Sequence, residues 1–173
     1  MRQLLFFALL LGHVSYGQEF PKDWVGSYAG EMILAFEQRP NDTVDVDFIM
    51  KEKVEDSLWS YTMIYHSAKY GEITKDYLIR AKSKGNSKHF ELDEQNGIIM
   101  ELTLMNNTLY GMYQVMGDIY SSTMRHNGDN LYFDLYAVPA KEPKTTKLDS
   151  TEQEIEAISY KPKLSQSVRL YKK

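Results

Sequence analysis

The alternation of apolar and polar side chains along this chain predicts an all-β protein. Between Thr43 and Lys53, apolar residues occupy every second position, at Val44, Val46, Phe48 and Met50. Since successive side chains of a strand point to opposite faces, this pattern indicates a strand with one buried face and one solvated face.

Turn residues recur about every ten positions and divide the rest of the chain into similar short segments. The residues between the segments are few, which permits antiparallel pairing of neighbours, whereas parallel pairing needs long crossovers. We therefore expect a continuous antiparallel meander, with a loop at residues 68–75 and strands at 57–66, 76–82, 88–93, 98–105, 108–116, 118–126, 131–138 and 167–172.

The first strand carries a distinctive pattern. Trp24, Gly26, Tyr28, Gly30, Met32 and Leu34 share one face of it. Two glycines among large side chains suit a strand that bends sharply while a barrel closes over it. The pattern therefore predicts an up-and-down barrel of eight to ten strands.

One segment near the C-terminus predicts a helix, at about residues 150–159. Thr151 with Glu154 three positions later resembles a capping box, and acidic residues in a first turn favour the positive end of the helix dipole. Ile155 and Ile158 would face inward. A terminal strand at about 167–172 would follow.

The N-terminus has the pattern of an export signal: Arg2, an apolar run from Leu4 to Leu11, and small residues before position 18. We expect cleavage after Gly17, which leaves residues 18–173 as one domain of a periplasmic or secreted protein. The apolar run is too short to span a bilayer.

Composition narrows the functional classes. The chain has no cysteine, which excludes thiolate metal sites and cysteine nucleophiles. Its net charge of -4, with both signs interspersed, argues against a nucleic-acid partner. It has 13 tyrosines and 9 methionines, side chains that suit a cavity lining better than the Leu, Ile and Val of a filled core.

The favoured function is the binding of a small apolar or amphipathic molecule inside the barrel, with tyrosine hydroxyls orienting it and no cofactor required. The alternative is that the same side chains simply fill the core. The candidate ligand-binding residues are Tyr28, Met32, Phe48, Met50, Trp59, Tyr61, Met63, Tyr77, Met100 and Tyr113.

Two other functions stay open. The stripe of Trp59, Tyr61, Met63 and Tyr65 would form a surface for a protein or glycan partner if it faced outward. A glycan-acting β-sandwich would need two facing carboxylates, for which the nearest pairs are Asp45 with Asp47 and Glu52 with Glu55. The outward positions of Asp45 and Asp47 favour a solvated surface instead.

The sequence favours a binding protein over an enzyme, because it contains no nucleophile elbow, phosphate-binding glycine loop or dinucleotide motif. His66, His89 and His126 each lack a second histidine at zinc-site spacing. His126 begins the Asn127-Gly-Asp-Asn130 turn and is expected in solvent, although a single histidine holding haem iron stays an alternative.

Trp24 on the first strand, the long meander, a late helix and a terminal strand bearing Arg169 resemble the lipocalin and wider calycin plan. In that family a tryptophan near the start of the first strand is covered by an arginine from the end of the chain. The resemblance implies that Arg169 stacks on Trp24 and closes one end of the barrel. Such a cation–π contact contributes roughly 0.5 to 2 kcal/mol.

Overall fold

The computed structural model describes residues 20–83, 87–141, 143–148 and 155–173. The described residues form a 3₁₀ turn, Lys22–Trp24, and twelve strands. The strands are β1 (Gly26–Phe36), β2 (Asp42–Val54), β3 (Leu58–Ser67), β4 (Gly71–Ala81), β5 (His89–Asp93), β6 (Ile99–Met105), β7 (Thr108–Val115), β8 (Asp118–Asn127), β9 (Asn130–Pro139), β10 (Lys144–Lys147), β11 (Glu156–Ser159) and β12 (Leu164–Lys172).

Ten of these described strands close into an antiparallel barrel, which confirms the predicted architecture. Sequential neighbours pair from β1 to β9, and β12 closes the ring between β9 and β1. The barrel has two distinct ends. We call the end where β1 begins the floor, and the opposite end, where β1 turns into β2 and β3 into β4, the mouth.

The alternation read from the sequence sets which side chains face inward. In β2, Val44, Val46, Phe48 and Met50 are buried while Asp45 and Lys51 are exposed. In β3, Trp59, Tyr61 and Met63 are buried. The stripe considered as an exposed partner surface therefore faces the interior.

Gly30 lies where β1 and β12 approach each other most tightly among the described glycine sites. A Cβ atom at this position would lie 2.1 Å from the carbonyl oxygen of Arg169. The backbones of β1 and β12 approach each other too closely here for any side chain, as the inward glycines suggested.

The structure corrects two predicted segments. Residues 150–154 of the expected helix lie outside the described residues, but Glu156–Ser159 is strand β11, paired with β10 rather than helical. The segment expected as a loop at residues 68–75 becomes strand from Gly71 onward. The predicted terminal strand is confirmed and starts earlier, at Leu164.

Candidate cavity in the barrel

A cavity occupies the part of the barrel toward the mouth. It leaves about 90 Å³ for the centres of water-sized molecules, within about 630 Å³ of unoccupied space that includes solvent at its opening. One such molecule needs about 10 to 15 Å³ by the same measure, so the cavity has room for a small organic ligand. Its lining consists of Tyr61, Met63, Tyr65, Tyr77, Leu92, Met100, Leu102, Leu109, Tyr113, Ser122, Thr123, Met124, Phe133 and Leu135.

Aromatic rings build one wall of the cavity. The ring of Tyr61 packs edge-on against Phe48, with centroids 4.7 Å apart, and against Tyr77 at 6.1 Å. On the facing strands, Tyr113 stacks on Tyr120 at 5.4 Å. Tyr61 lies directly opposite Tyr77, and Tyr113 directly opposite Tyr120, so the pairing of neighbouring strands positions both of these ring pairs.

The hydroxyls of two cavity tyrosines have only weak acceptors. Tyr61 donates to the sulfur of Met124 at 3.7 Å, and Tyr65 donates to the sulfur of Met63 at 2.8 Å. A thioether sulfur is a poor acceptor compared with a carbonyl oxygen. Both hydroxyls can therefore gain a stronger hydrogen bond from a ligand that carries an oxygen acceptor.

Burial keeps the cavity tyrosines neutral. Removal from water is the largest cause that raises the pKa of Tyr61, Tyr65 and Tyr113, and it raises the pKa of Tyr77 to about 12. After burial, neighbouring tyrosines contribute: Tyr65, Tyr77 and Tyr113 also raise the pKa of Tyr61, and Tyr77 and Tyr113 also raise the pKa of Tyr65. At neutral pH the group offers O–H donors rather than phenolate charges.

The electrostatics of the cavity disfavour an anionic ligand. Among the described lining residues none is charged. Burial is the main cause that raises the pKa of Tyr77 and Tyr113, and the negative charge of Glu94 acts in the same direction. An anion entering there would be desolvated without a cation to pair with.

The ten predicted ligand-binding residues divide into two groups. Tyr61, Met63, Tyr77, Met100 and Tyr113 line the cavity. Tyr28, Met32, Phe48, Met50 and Trp59 lie in the solid core instead, each at most 1% exposed. Alternation identifies the inward face but not which inward side chains border the cavity, since Phe48 and Met50 of the core lie directly opposite Met63 and Tyr61 of the lining.

Sequence reasoning also missed cavity residues on the later strands. Met124 of β8 and Phe133 of β9 occupy inward positions that face each other across the strand pair. Both follow the same alternation as the predicted cavity residues, so the sequence pattern does contain a signal for them. Tyr65, the last residue of the aromatic and methionine stripe of β3, also lines the cavity.

The floor is closed by rings, and here the resemblance to lipocalins assigned the wrong partner. Trp24 is fully buried, packs edge-on against Phe20 at 4.7 Å and stacks on His126 at 5.9 Å. Arg169 instead lies on the outer wall, 5.5 Å from the ring centre of Tyr132 and 4.8 Å from that of Tyr171. Its position on β12 points the side chain away from the interior.

His126 is buried rather than solvated, which corrects the expectation from its neighbouring turn. The side chain is 6% exposed, and within the described part of the chain its Nδ1 has no hydrogen-bond partner. Burial lowers the pKa of His126, so the imidazole is neutral at neutral pH. The inward parity of β8 places it there despite the turn that follows.

The carboxylate pairs lie outside the barrel. Asp47 bonds to Lys173 and to Nε2 of His66 at 3.2 Å, and the hydrogen bond from Lys173 is the main cause that lowers the pKa of Asp47. Asp45, Glu52 and Glu55 are exposed. In the described ranges, no group of three histidine, aspartate or glutamate side chains is arranged to hold a metal. A closed barrel also replaces the β-sandwich of the second alternative.

The fold is similar to that of several solved structures. Rv2717c from M. tuberculosis matches with a TM-score of 0.55 and 11% identity, over 86% of this chain and 92% of the other. The S-type phycobiliprotein lyase CpeS from Guillardia theta matches with a TM-score of 0.57 and 8% identity, over 86% and 88%.

A protein of unknown function from the DUF3598 family of Nostoc punctiforme matches with a TM-score of 0.56 and 11% identity, over 88% of this chain. This chain covers 48% of that protein. No protein-family model and no curated protein matches the sequence. In the described residues, no helix has the length and apolar character needed to cross a membrane.

At these identities the similarity concerns the fold, and the fold is the point on which the comparisons and the geometry agree. The closed antiparallel barrel and its structural neighbours fit the lipocalin-like, calycin type of fold.

Proposed function

We propose that this protein binds one small, uncharged, amphipathic molecule in the cavity near the mouth of the barrel. The ligand has an apolar body and at least one oxygen acceptor. The observation that carries this proposal is the pair of hydroxyls, Tyr61 and Tyr65, that lie in an apolar cavity and donate only to methionine sulfur. A buried donor with a weak partner favours a ligand that supplies a better one.

The comparisons support the proposal at the level of the fold. One structural neighbour is named a phycobiliprotein lyase, which associates this type of barrel with the handling of a small-molecule chromophore. The uncharged lining and the negative charge of Glu94 favour an uncharged ligand over fatty acids and other anions.

Three matched naphthalene compounds test the ligand chemistry: 1-acetylnaphthalene, 1-ethylnaphthalene and 1-naphthoate. Calorimetric titration should show saturable binding of the first two. The ketone should bind about 2 to 10 times more tightly than the hydrocarbon, since a hydrogen bond contributes about 0.5 to 1.5 kcal/mol. The anionic naphthoate should bind most weakly of the three.

Two variants locate the binding. The double variant Tyr61→Phe/Tyr65→Phe should remove the preference for the ketone, whereas Tyr136→Phe, an exposed tyrosine on the outer wall, should leave it unchanged. Leu135→Trp should block all binding by filling the cavity. Equal affinity of the ketone and the hydrocarbon for the unmodified protein would contradict the proposal.

We also propose that the protein acts after export, with residues 1–17 as the leader. The basic start and the apolar run of the N-terminal sequence support this. N-terminal sequencing of the protein recovered from its own cells should begin at Gln18. A protein that still begins at Met1 or Arg2 would contradict the proposed export.

A further inference from the structure

The wall of the barrel contains an unpaired strand edge near the mouth. Strand β4 pairs with β3 along its whole length, from Gly71 to Arg80. Its pairing with β5 covers only Leu78 to Ala81. Between Gly71 and Tyr77, therefore, β4 has no strand partner on its β5 side within the described part of the chain.

Backbone hydrogen bonds show which groups point to the open side. Ala81 donates to Ser57, on the β3 side, whereas Lys82 donates to His89, on the β5 side. Since backbone groups alternate in direction along a strand, the N–H and C=O groups of the even-numbered residues of β4 point toward the β5 side. These are Glu72, Thr74 and Asp76.

One side chain already shows that this edge accepts hydrogen bonds. The amide nitrogen of Gln95, in the turn after β5, donates to the carbonyl oxygen of Asp76 at 3.2 Å. This side-chain bond replaces the backbone hydrogen bond that a longer β5 would make with Asp76. The carbonyl groups of Glu72 and Thr74 and the N–H groups of all three even residues have no such bond among the described residues.

We propose that the edge of β4 from Glu72 to Asp76 binds an extended peptide that adds a strand to the barrel wall. Strand addition to an open sheet edge is a recurrent mode of peptide recognition, in which main-chain hydrogen bonds provide affinity and alternate side chains provide specificity. The site is separate from the ligand cavity and does not depend on its function.

Charge selects the peptide. The outward side chains along this edge are Glu72, Thr74 and Asp76, and all three are exposed. A partner strand places its own side chains directly opposite them, where opposite charges stabilise pairing. The peptide that fits carries basic residues two positions to either side of a central small residue.

The same charges oppose pairing with a second copy of this chain. An antiparallel pair of β4 edges centred on Thr74 would place Glu72 of each copy opposite Asp76 of the other. Like charges directly opposite one another destabilise a strand pair. Charged edges are a known protection against self-association, and here they leave the edge open to a basic partner.

The probe is a labelled peptide, acetyl-Gly-Lys-Val-Thr-Val-Lys-Gly-amide, and its control replaces both lysines with glutamate. By fluorescence anisotropy the lysine peptide should bind at least ten times more tightly than the glutamate peptide. N-methylation of its backbone on the side facing β4 should abolish binding. Chemical-shift changes should centre on the amides of Glu72, Thr74 and Asp76.

Two matched variants test the edge itself. Thr74→Pro removes an N–H that the β3 ladder does not use, and should weaken binding at least tenfold, while Thr74→Ala should stay within threefold. Since proline can disturb the strand, Glu72→Gln/Asp76→Asn offers an independent test, because it should remove the preference for lysine over glutamate.

Three results would overturn the proposal: no binding of the lysine peptide, equal binding of both peptides, or equal effects of Thr74→Pro and Thr74→Ala. A dimer detected by sedimentation that Thr74→Pro dissociates would also overturn it, by making a second copy the occupant.

Discussion

His126 connects the floor of the barrel to pH. Burial is the main cause that lowers its pKa below the ordinary value of 6.5, with Lys172 acting in the same direction and Asp23 and Asp129 opposing. As the pH falls below about 6.5, the unfolded chain takes up a proton that the folded protein resists. The free energy of unfolding should therefore fall with pH until the folded pKa is reached.

The matched comparison is with His126→Phe, which keeps a ring against Trp24 but cannot be protonated. Urea unfolding at several pH values between 7.5 and 4.5 should show a smaller loss of stability in the variant. The carboxylates titrate in both proteins and cancel in the difference. Parallel curves for the two proteins would show that His126 does not carry the effect.

The features predicted least well at the residue scale are which inward side chains border the cavity and which partner a side chain contacts. Alternation placed Tyr28 and Tyr61 on the same inward face, yet one lies in solid core and the other lines the cavity. Arg169 was assigned to Trp24, but its position on β12 turns it outward to Tyr132. The first distinction is not written in the local pattern, because inward residues of both kinds follow the same alternation. The second is, since Arg169 lies between the buried Val168 and Leu170 and alternation therefore turns it outward.

The turn between β7 and β8 contains an unfavourable residue. Met116 and Gly117 both have positive φ values, of 51° and 85°, in a two-residue connection between Val115 and Asp118. Turns of this kind favour asparagine at the first position, and the Met116 side chain is 98% exposed. Met116→Asn should raise the free energy of unfolding by about 0.5 to 1 kcal/mol in urea titrations. Met112→Asn, on the exposed face of β7, should give no such gain.

The close approach of β1 and β12 depends on Gly30. Gly30→Ala would bring a methyl group against the backbone of Arg169, which cannot move aside as a flexible side chain can. We expect a loss of at least about 2 kcal/mol in the free energy of unfolding, at the upper part of the range for overpacked sites. Ser27→Ala, at an exposed position of the same strand, is the control. If Gly30→Ala were as stable as Ser27→Ala, the backbone of β12 would be able to move and accommodate the added methyl group.

The elements that sequence reasoning missed are those whose partners are distant or missing. Residues 71–76 are all exposed and all but Gly71 and Ile73 are polar, so a strand there had the composition of a loop. Strand β5 does not extend over them. The helix expected near residue 155 rested on local capping signals, whereas Glu156–Ser159 pairs with Lys144–Lys147. The long alternating strands were predicted correctly because burial of one face dominates their composition.

At the scale of the whole molecule, the cavity tyrosines couple stability to alkaline pH. Their pKa values are raised above 10 in the folded protein, to about 12 for Tyr77, chiefly by burial. The stability they contribute is complete below pH 10, where the unfolded chain is also neutral. Above pH 10 the unfolded tyrosines ionise first, so the barrel should lose stability as the pH rises toward 12.

An alkaline pH titration tests this loss of stability: absorbance at 295 nm follows tyrosine ionisation while circular dichroism follows unfolding. Exposed tyrosines such as Tyr70, whose pKa is lowered mainly by a hydrogen bond with Lys69, should titrate first without loss of structure. The cavity tyrosines should titrate together with unfolding. In Tyr61→Phe/Tyr65→Phe the unfolding transition should move to higher pH, while Tyr136→Phe should leave it in place. If every tyrosine instead titrated near pH 10 with the native dichroism intact, the hydroxyls would be open to water and the cavity would lack the dry, donor-lined interior that ligand binding requires.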